Sequence, residues 1–202
     1  MVDPKIVMEL RNRTGAGMME CKSALEEAGS DMEKAIEVLR RKGVAKAAKK
    51  TAERTASEGM IATYLHHNKR LAAMVELLCE TDFSARTDEF QALANDIAMQ
   101  VAAMNPEFVS PETIPAETLE KMRAAFTEEM AGENKPDEIK AKIVEGKLAK
   151  WYSDACLTKQ AFFKNEEKTI EQIIIEYIAK TGEKVVISRF ARFEMAISGK
   201  VC

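Results

Sequence analysis

The sequence predicts an α+β protein: a three-helix head, a helical linker, and a small three-stranded antiparallel sheet packed with helices and interrupted by a helical hairpin. Three observations carry that prediction. Apolar residues recur at helical spacing over residues 3–39, with capping residues at the breaks. The period changes to alternation after Ser57 and again near the C-terminus. Between these regions lie amphipathic stretches separated by turns that carry proline and glycine. The expected organisation is a head and basic linker helix (1–54), a sheet-and-helix dimerisation core (55–104 and 161–202), and a helical hairpin (105–160).

In the head, Asp3 and Pro4 open the first helix, since aspartate caps a helix start and proline fits its first turn. Ile6, Val7 and Leu10 mark its apolar side, and TGAG (14–17) ends it. The second helix carries Met18, Met19, Ala24, Leu25 and Ala28, with Gly29 placed to supply a left-handed cap. Ser30 and Glu33 read as a capping box for a third helix, along which Met32, Ala35, Ile36 and Leu39 repeat. Three short helices make a marginal unit by size, better suited to docking than to catalysis. Residues 40–54 then hold seven Lys or Arg against one Glu, set among alanines. A solvated linker helix is the preferred reading. RNA binding is the alternative, weakened because no aromatic residue interleaves with the basic ones to stack a base.

GMIATYLHH (59–67) and RLAAMVELLCE (70–80) alternate as two strands around a polar turn. Thr87 is placed to cap the next helix, with Asp88 and Glu89 in its dipole-favoured first turn. Phe90, Leu93, Ala94, Ile97, Val101 and Met104 form its apolar stripe. NPEFVSPETIP (105–115) holds three of the five prolines and reads as a connection. Helices follow from about Glu117 to Ala131 and from Pro136 toward Tyr152, joined by GENKP (132–136). Ile139, Ile143, Val144, Leu148 and Trp151 line one side of the second, and Gly146 within it costs about 1 kcal/mol relative to alanine. The last helix runs from Thr169 to Lys180, closed by Gly182, before the strand KVVISRFARFEM (184–195). So small a sheet leaves one face poorly covered, which makes self-association an expectation.

A net charge of −3 provides no global field for nucleic acid or anionic membrane. No apolar stretch approaches the roughly 20 residues of a membrane span, and MVDPKIVMELRNRT turns charged at once, unlike a secretion signal. Cys21, Cys79, Cys156 and Cys202 lie far apart with no Cys-x-x-Cys pair, which argues against a zinc knuckle and for a reducing cytoplasm. Cys202 reads as a free exposed thiol in preference to an intermolecular disulfide. GAGMME (15–20) has Glu20 where a dinucleotide fingerprint needs its third glycine, and no phosphate loop or Gly-x-Ser-x-Gly elbow appears. His66 and His67, the two histidines, would face opposite ways in a strand and could not easily chelate one metal together, so surface turn residues are the preferred reading. No catalytic residue, metal site or cofactor is therefore expected.

CETDFSAR (79–86) is the stretch that bears on function. A strand ends there, and the corner presents Glu80, Asp82 and Phe83. The carboxylates at i and i+2 fit a weak acid–base or magnesium signal, or a solvated corner in which one of them pairs with Arg86. An exposed Phe83 would be an anchor for a partner.

ELRNRTGAGMMECKSALEEAGSDMEKAIEVLRRKGVAKAAKK (9–50) resembles the N-terminal segment of bacterial elongation factor Ts. VELLCETDFSARTDEF (75–90) is similar to that family's second signature, and KIVEGKLAKWY (142–152) with RFARFE (189–194) resembles its C-terminal part. The resemblance implies a guanine-nucleotide exchange factor for elongation factor Tu, the translation GTPase, acting by binding rather than as an enzyme, and a head like the ubiquitin-associated fold. It implies that Thr81, Asp82, Phe83 and Ser84 form a tip intruding beside the partner's magnesium site, Phe83 as a wedge and Asp82 disturbing the magnesium. It places Arg11, Met18, Met19 and Lys22 against the partner's nucleotide-binding domain. Ser84 stands where the family usually has valine, and one copy of the sheet-and-helix unit is found where longer members have two, so a homodimer is implied. Nucleotide, nucleic acid and membrane are not expected as direct ligands.

Overall fold

The computed structural model describes residues 2–133 and 136–195; Cys202, and with it the terminal-thiol expectation, lies outside them. The chain is α+β. In order it forms α1 (Pro4–Thr14), α2 (Met18–Glu27), α3 (Met32–Glu53), β1 (Glu58–Leu65), β2 (Leu71–Cys79), α4 (Asp82–Ala85) and α5 (Asp88–Met104). It continues with α6 (Ala116–Ala131), α7 (Asp137–Ala155), β3 (Ala161–Phe162), β4 (Asn165–Thr169), α8 (Ile170–Thr181) and β5 (Val185–Glu194). The main sheet is antiparallel with order β1-β2-β5, and β3-β4 form a separate two-stranded ribbon. That ribbon was not expected, because NEEKT carries no apolar alternation for a strand pattern to show.

The chain divides into two compact units. One comprises residues 1–59, 78–87 and 172–186; the other comprises 60–77, 88–171 and 187–202.

In the first unit, Val7, Leu10, Cys21, Ala24, Leu25 and Ala35 form the core of the three-helix head, with Ile6, Met32, Ile36 and Leu39 packed around it. Asp3 caps α1 by accepting from the Lys5 N–H at 2.9 Å, and Gly15 closes it in the left-handed region at φ 69°. Between α2 and α3 the outcome differs from the capping box expected of Ser30 and Glu33. Gly29 and Ser30 both adopt left-handed backbone, at φ 62° and 66°, whereas a cap residue needs extended backbone. Asp31 takes the role, accepting from the Lys34 N–H at 3.0 Å, and Glu33 pairs with Arg13 at 3.1 Å. The third head helix and the basic linker are one continuous element, α3.

In the second unit, α5 buries Phe90, Leu93, Ala94, Ile97, Ala98, Val101 and Ala102, and Met104 at its end is exposed. Its fully buried Gln100 sits among them. The Gln100 amide donates to Ala161 O at 3.0 Å and to Gln160 Oε1 at 3.3 Å, and accepts from the Phe163 N–H at 3.0 Å. The buried face of α5 thus carries one polar side chain that bonds the backbone of the β3-β4 ribbon. Arg192 of β5 donates to Ala102 O at 3.0 Å in the last turn of α5, where carbonyls lack helical partners. The helices α6 and α7 pack as a hairpin, tied by Arg123–Glu145 at 3.2 Å and by Lys147 with Glu129. Gly146 faces open space, so no close approach demands a glycine there.

Strands β1 and β2 bury Ala62 on the one and Ala73, Val75, Leu77 and Cys79 on the other. Between these positions Ile61, Leu65 and Met74 are exposed, as are Phe193 and Met195 near the end of β5.

Candidate functional site

The corner after β2 is built by local hydrogen bonds that leave one large apolar side chain outside. Cys79, the last buried residue of the strand, donates its thiol to Thr81 O at 3.2 Å. Thr81 is extended (φ −127°, ψ 149°) and caps α4, its Oγ1 accepting from the Ser84 N–H at 3.2 Å. The corner then closes through Arg86 N–H to Phe83 O at 3.2 Å and Thr87 N–H to Ser84 O at 3.1 Å. The Thr87 hydroxyl also donates to Ser84 O, at 2.8 Å. On this hydrogen-bonded corner the Phe83 side chain remains 78% exposed.

Asp82 lies in the first turn of α4, where the dipole favours an acid, and it pairs with Arg86 at 3.0 Å with both side chains largely exposed. Ser84 is buried at 5% exposure, beneath the corner rather than on its surface. The serine found where the family resemblance expects valine therefore occupies an inward position. Glu80 is also turned inward. Its carboxylate accepts from Arg54 at 3.1 Å and from the Lys184 N–H at 2.6 Å, while Thr81 Oγ1 donates to Glu183 Oε1 at 2.9 Å. Glu80 and Asp82 thus engage separate partners, and the structure gives no support to the shared acid–base or magnesium pair that their spacing permitted. Among the described residues no group of three or more His, Cys, Asp or Glu converges as a metal site would require.

The two histidines lie beyond the end of β1, in the turn, in line with their expected place as surface turn residues. Their rings sit 4.2 Å apart and His66 Nδ1 is 2.9 Å from Tyr64 Oη. Burial pushes the Cys21 and Cys79 thiols up from their ordinary value and raises Cys156 to about 11, so these three behave as small apolar residues.

The head positions lie on neighbouring helices of the first unit. Arg11 is exposed near the end of α1; Met18, Met19 and Lys22 are exposed on the first turns of α2. Met18 and Met19, both exposed, offer adaptable apolar surface, since thioether chains have several rotatable bonds. Head and corner fall within the same compact unit.

In the basic segment 40–54, Arg40 pairs with Glu37 at 2.6 Å, Arg41 and Lys42 both pair with Glu27 at 2.8 and 2.7 Å, and Arg54 pairs with Glu80. The side chains of 46–53, which carry the remaining basic residues, lie outside the described residues. No described helix is long and apolar enough to cross a membrane.

Sequence reasoning found the exposed corner but not the residues that hold it. Arg54 lies 26 positions from Glu80, and Lys184 lies 104 positions from it, so no local pattern joins them.

A family model described as elongation factor Ts matches residues 6–196. The chain is 55% identical over 193 residues to a protein named elongation factor Ts from Thermosipho melanesiensis, covering 96% of this chain and 98% of that one. It is 51% identical over 195 residues to the protein of the same name from Carboxydothermus hydrogenoformans, covering 96% and 89%. The corresponding protein from Syntrophus aciditrophicus is 52% identical over 190 residues, covering 94% of each chain.

Proposed function

The chain belongs to the elongation factor Ts family and is a translation elongation factor, and on that premise we propose that it binds elongation factor Tu in the GDP-bound form and promotes GDP release. One observation carries the reading: Phe83 stands 78% exposed on a corner held by the Thr81 cap and by the Ala85, Arg86 and Thr87 backbone N–H bonds, with Asp82 beside it. A phenylalanine side chain offers roughly 150–250 Å² to a partner. At about 25 cal/mol per Å², its burial in a partner groove contributes several kcal/mol.

The mechanism needs no bond chemistry in this chain. The factor and GDP are coupled ligands of one GTPase, so each weakens the other's binding by the same factor. Every ~1.4 kcal/mol of distortion imposed on the nucleotide site weakens GDP about tenfold. Thr81, Asp82, Phe83 and Ser84 make up the tip. Phe83 enters the partner, Asp82 brings an exposed carboxylate beside the partner's magnesium, and Thr81 and Ser84 fix the backbone from which both project. Magnesium bridges the phosphates to the GTPase, so disturbing it loosens GDP. Arg11, Met18, Met19 and Lys22 of the head hold the partner's nucleotide-binding domain, and GTP then reloads the vacated site.

The test is stopped-flow release of a fluorescent GDP analogue from the GTPase. Adding this protein is expected to accelerate release in a saturable manner, and no acceleration at saturating factor would end the reading.

The exposed Ile61, Leu65 and Met74 on β1 and β2 support a homodimer formed through the sheet, within a core of residues 55–104 and 161–202 beside the hairpin of 105–160. Light scattering is expected to give a mass near twice 22.5 kDa; a constant monomer mass on dilution and concentration would count against the dimer. The factor works in the cytoplasm in this reading. RNA binding through residues 40–54 gains no support, since each described cation there is already paired with a carboxylate.

A further inference from the structure

A four-residue helix has no stability of its own, so a wedge mounted on α4 transmits force only if something anchors its base. The structure supplies a closed clasp there. Arg54 Nη1 lies 3.1 Å from both Glu80 oxygens and 3.3 Å from Gly182 O. The Lys184 N–H donates to Glu80 Oε1 at 2.6 Å, and Lys184 Nζ returns to Arg54 O at 2.7 Å. One residue on, Thr81 is held by Glu183. The Glu80 carboxylate at the centre is only 20% exposed, so its charge-assisted bonds are shielded more than a surface pair would be.

Both arms of the clasp come from elements that touch the head. Arg54 directly follows α3, the helix that begins inside the head core. Residues 182–184 directly follow α8, whose end lies against the head. A Cβ built on Gly43 of α3 would sit 3.6 Å from the Ala179 Cβ, and one on Gly15 would sit 3.7 Å from the Lys180 Cδ.

We infer that the Arg54–Glu80–Lys184 clasp is a positioning device that locks the Phe83 corner to the head, so that head docking drives the ring into the partner instead of bending the corner away. The inference rests on the proposed exchange function, and it gives Arg54, Glu80 and Lys184 a role that acts through Phe83 rather than by touching the GTPase.

Four variants of the full chain test it in the fluorescent-GDP release assay: Arg54→Ala, Arg54→Lys, Phe83→Ala, and Arg54→Ala combined with Phe83→Ala. Arg54→Ala is expected to lower the release rate at saturating factor by about threefold to tenfold, as expected for losing a partly shielded charge-assisted pair. The half-saturating concentration should stay within about twofold, because the head contacts are intact, and Arg54→Lys should recover part of the rate by restoring the charge without the full set of arginine bonds. In the Phe83→Ala background the Arg54→Ala change should cost less than about 1.5-fold, since a residue acting through the ring has nothing left to position. A saturating rate equal to wild type for folded Arg54→Ala, or a loss that multiplies undiminished onto Phe83→Ala, overturns the clasp. Should Arg54→Ala fail to fold in a thermal melt, Glu80→Gln carries the same cycle, because it keeps an acceptor for the Lys184 N–H while removing the charge. Normal release by Phe83→Ala alone would instead overturn the wedge itself, so the two failures are distinct.

Discussion

Phe83→Ala is expected to slow factor-stimulated GDP release by about tenfold or more at equal factor concentration, the cost typical of truncating a central aromatic anchor. The substitution removes a ring that contributes little to this chain's own core, since 78% of the residue is open to solvent. Stability should therefore change by no more than about 0.5 kcal/mol. The caps that shape the corner use Thr81, Ser84 and Thr87, none of which is altered. The variant thus separates folding from exchange. An unchanged thermal midpoint together with slowed release is the expected pair of results. Wild-type release rates from a folded Phe83→Ala protein would remove the wedge from the mechanism.

Gln100→Met is expected to destabilise the second unit by about 1–3 kcal/mol despite matching the glutamine in length. Methionine can fill the space but offers no donor for Ala161 O and no acceptor for the Phe163 N–H, so both part-buried groups lose this partner. Gln160 would lose its neighbour's amide as well, although its own Nε2 still donates to Asp154 O at 2.9 Å. The most local readout is hydrogen exchange at the Phe163 amide, which should lose protection out of proportion to amides of the head. Full protection at Phe163 in the methionine variant would show that the network is not what holds the β3-β4 ribbon.

These two positions illustrate how unevenly the sequence reveals the molecule. Phe83 was legible because its neighbours are polar and the strand pattern stops at Cys79, leaving the ring no periodic place in a core. Gln100 gave only a faint signal, a lone amide within an apolar helical run, and nothing in the run says which backbone groups it serves. Helix and strand positions were largely readable, since caps and periods act within three or four residues. The four-residue α4 and the polar β4 were missed because neither is long enough or apolar enough to show a period. At Ser30 a correct motif lost to backbone: two successive left-handed residues moved the cap to Asp31.

The same division applies to the candidate site. The sequence located the corner and, through the long local match of its motifs, pointed to a family that the comparisons confirm. It left open whether Glu80 and Asp82 act as a pair. The structure separates them, giving Asp82 to Arg86 four residues away and Glu80 to Arg54 and Lys184 across much longer spans.

What the sequence alone determined was the longer helices and the three strands of the main sheet, the α+β class, the kinship, and the presence of an aromatic residue at a strand's end. What tertiary structure decided was which partner each buried polar group found, and hence that Glu80 braces the corner while Asp82 faces outward. The reason is range. Periodicity, capping and turn chemistry are settled among near neighbours, whereas a carboxylate buried beside a strand must be satisfied by whatever donors the folded path brings to it.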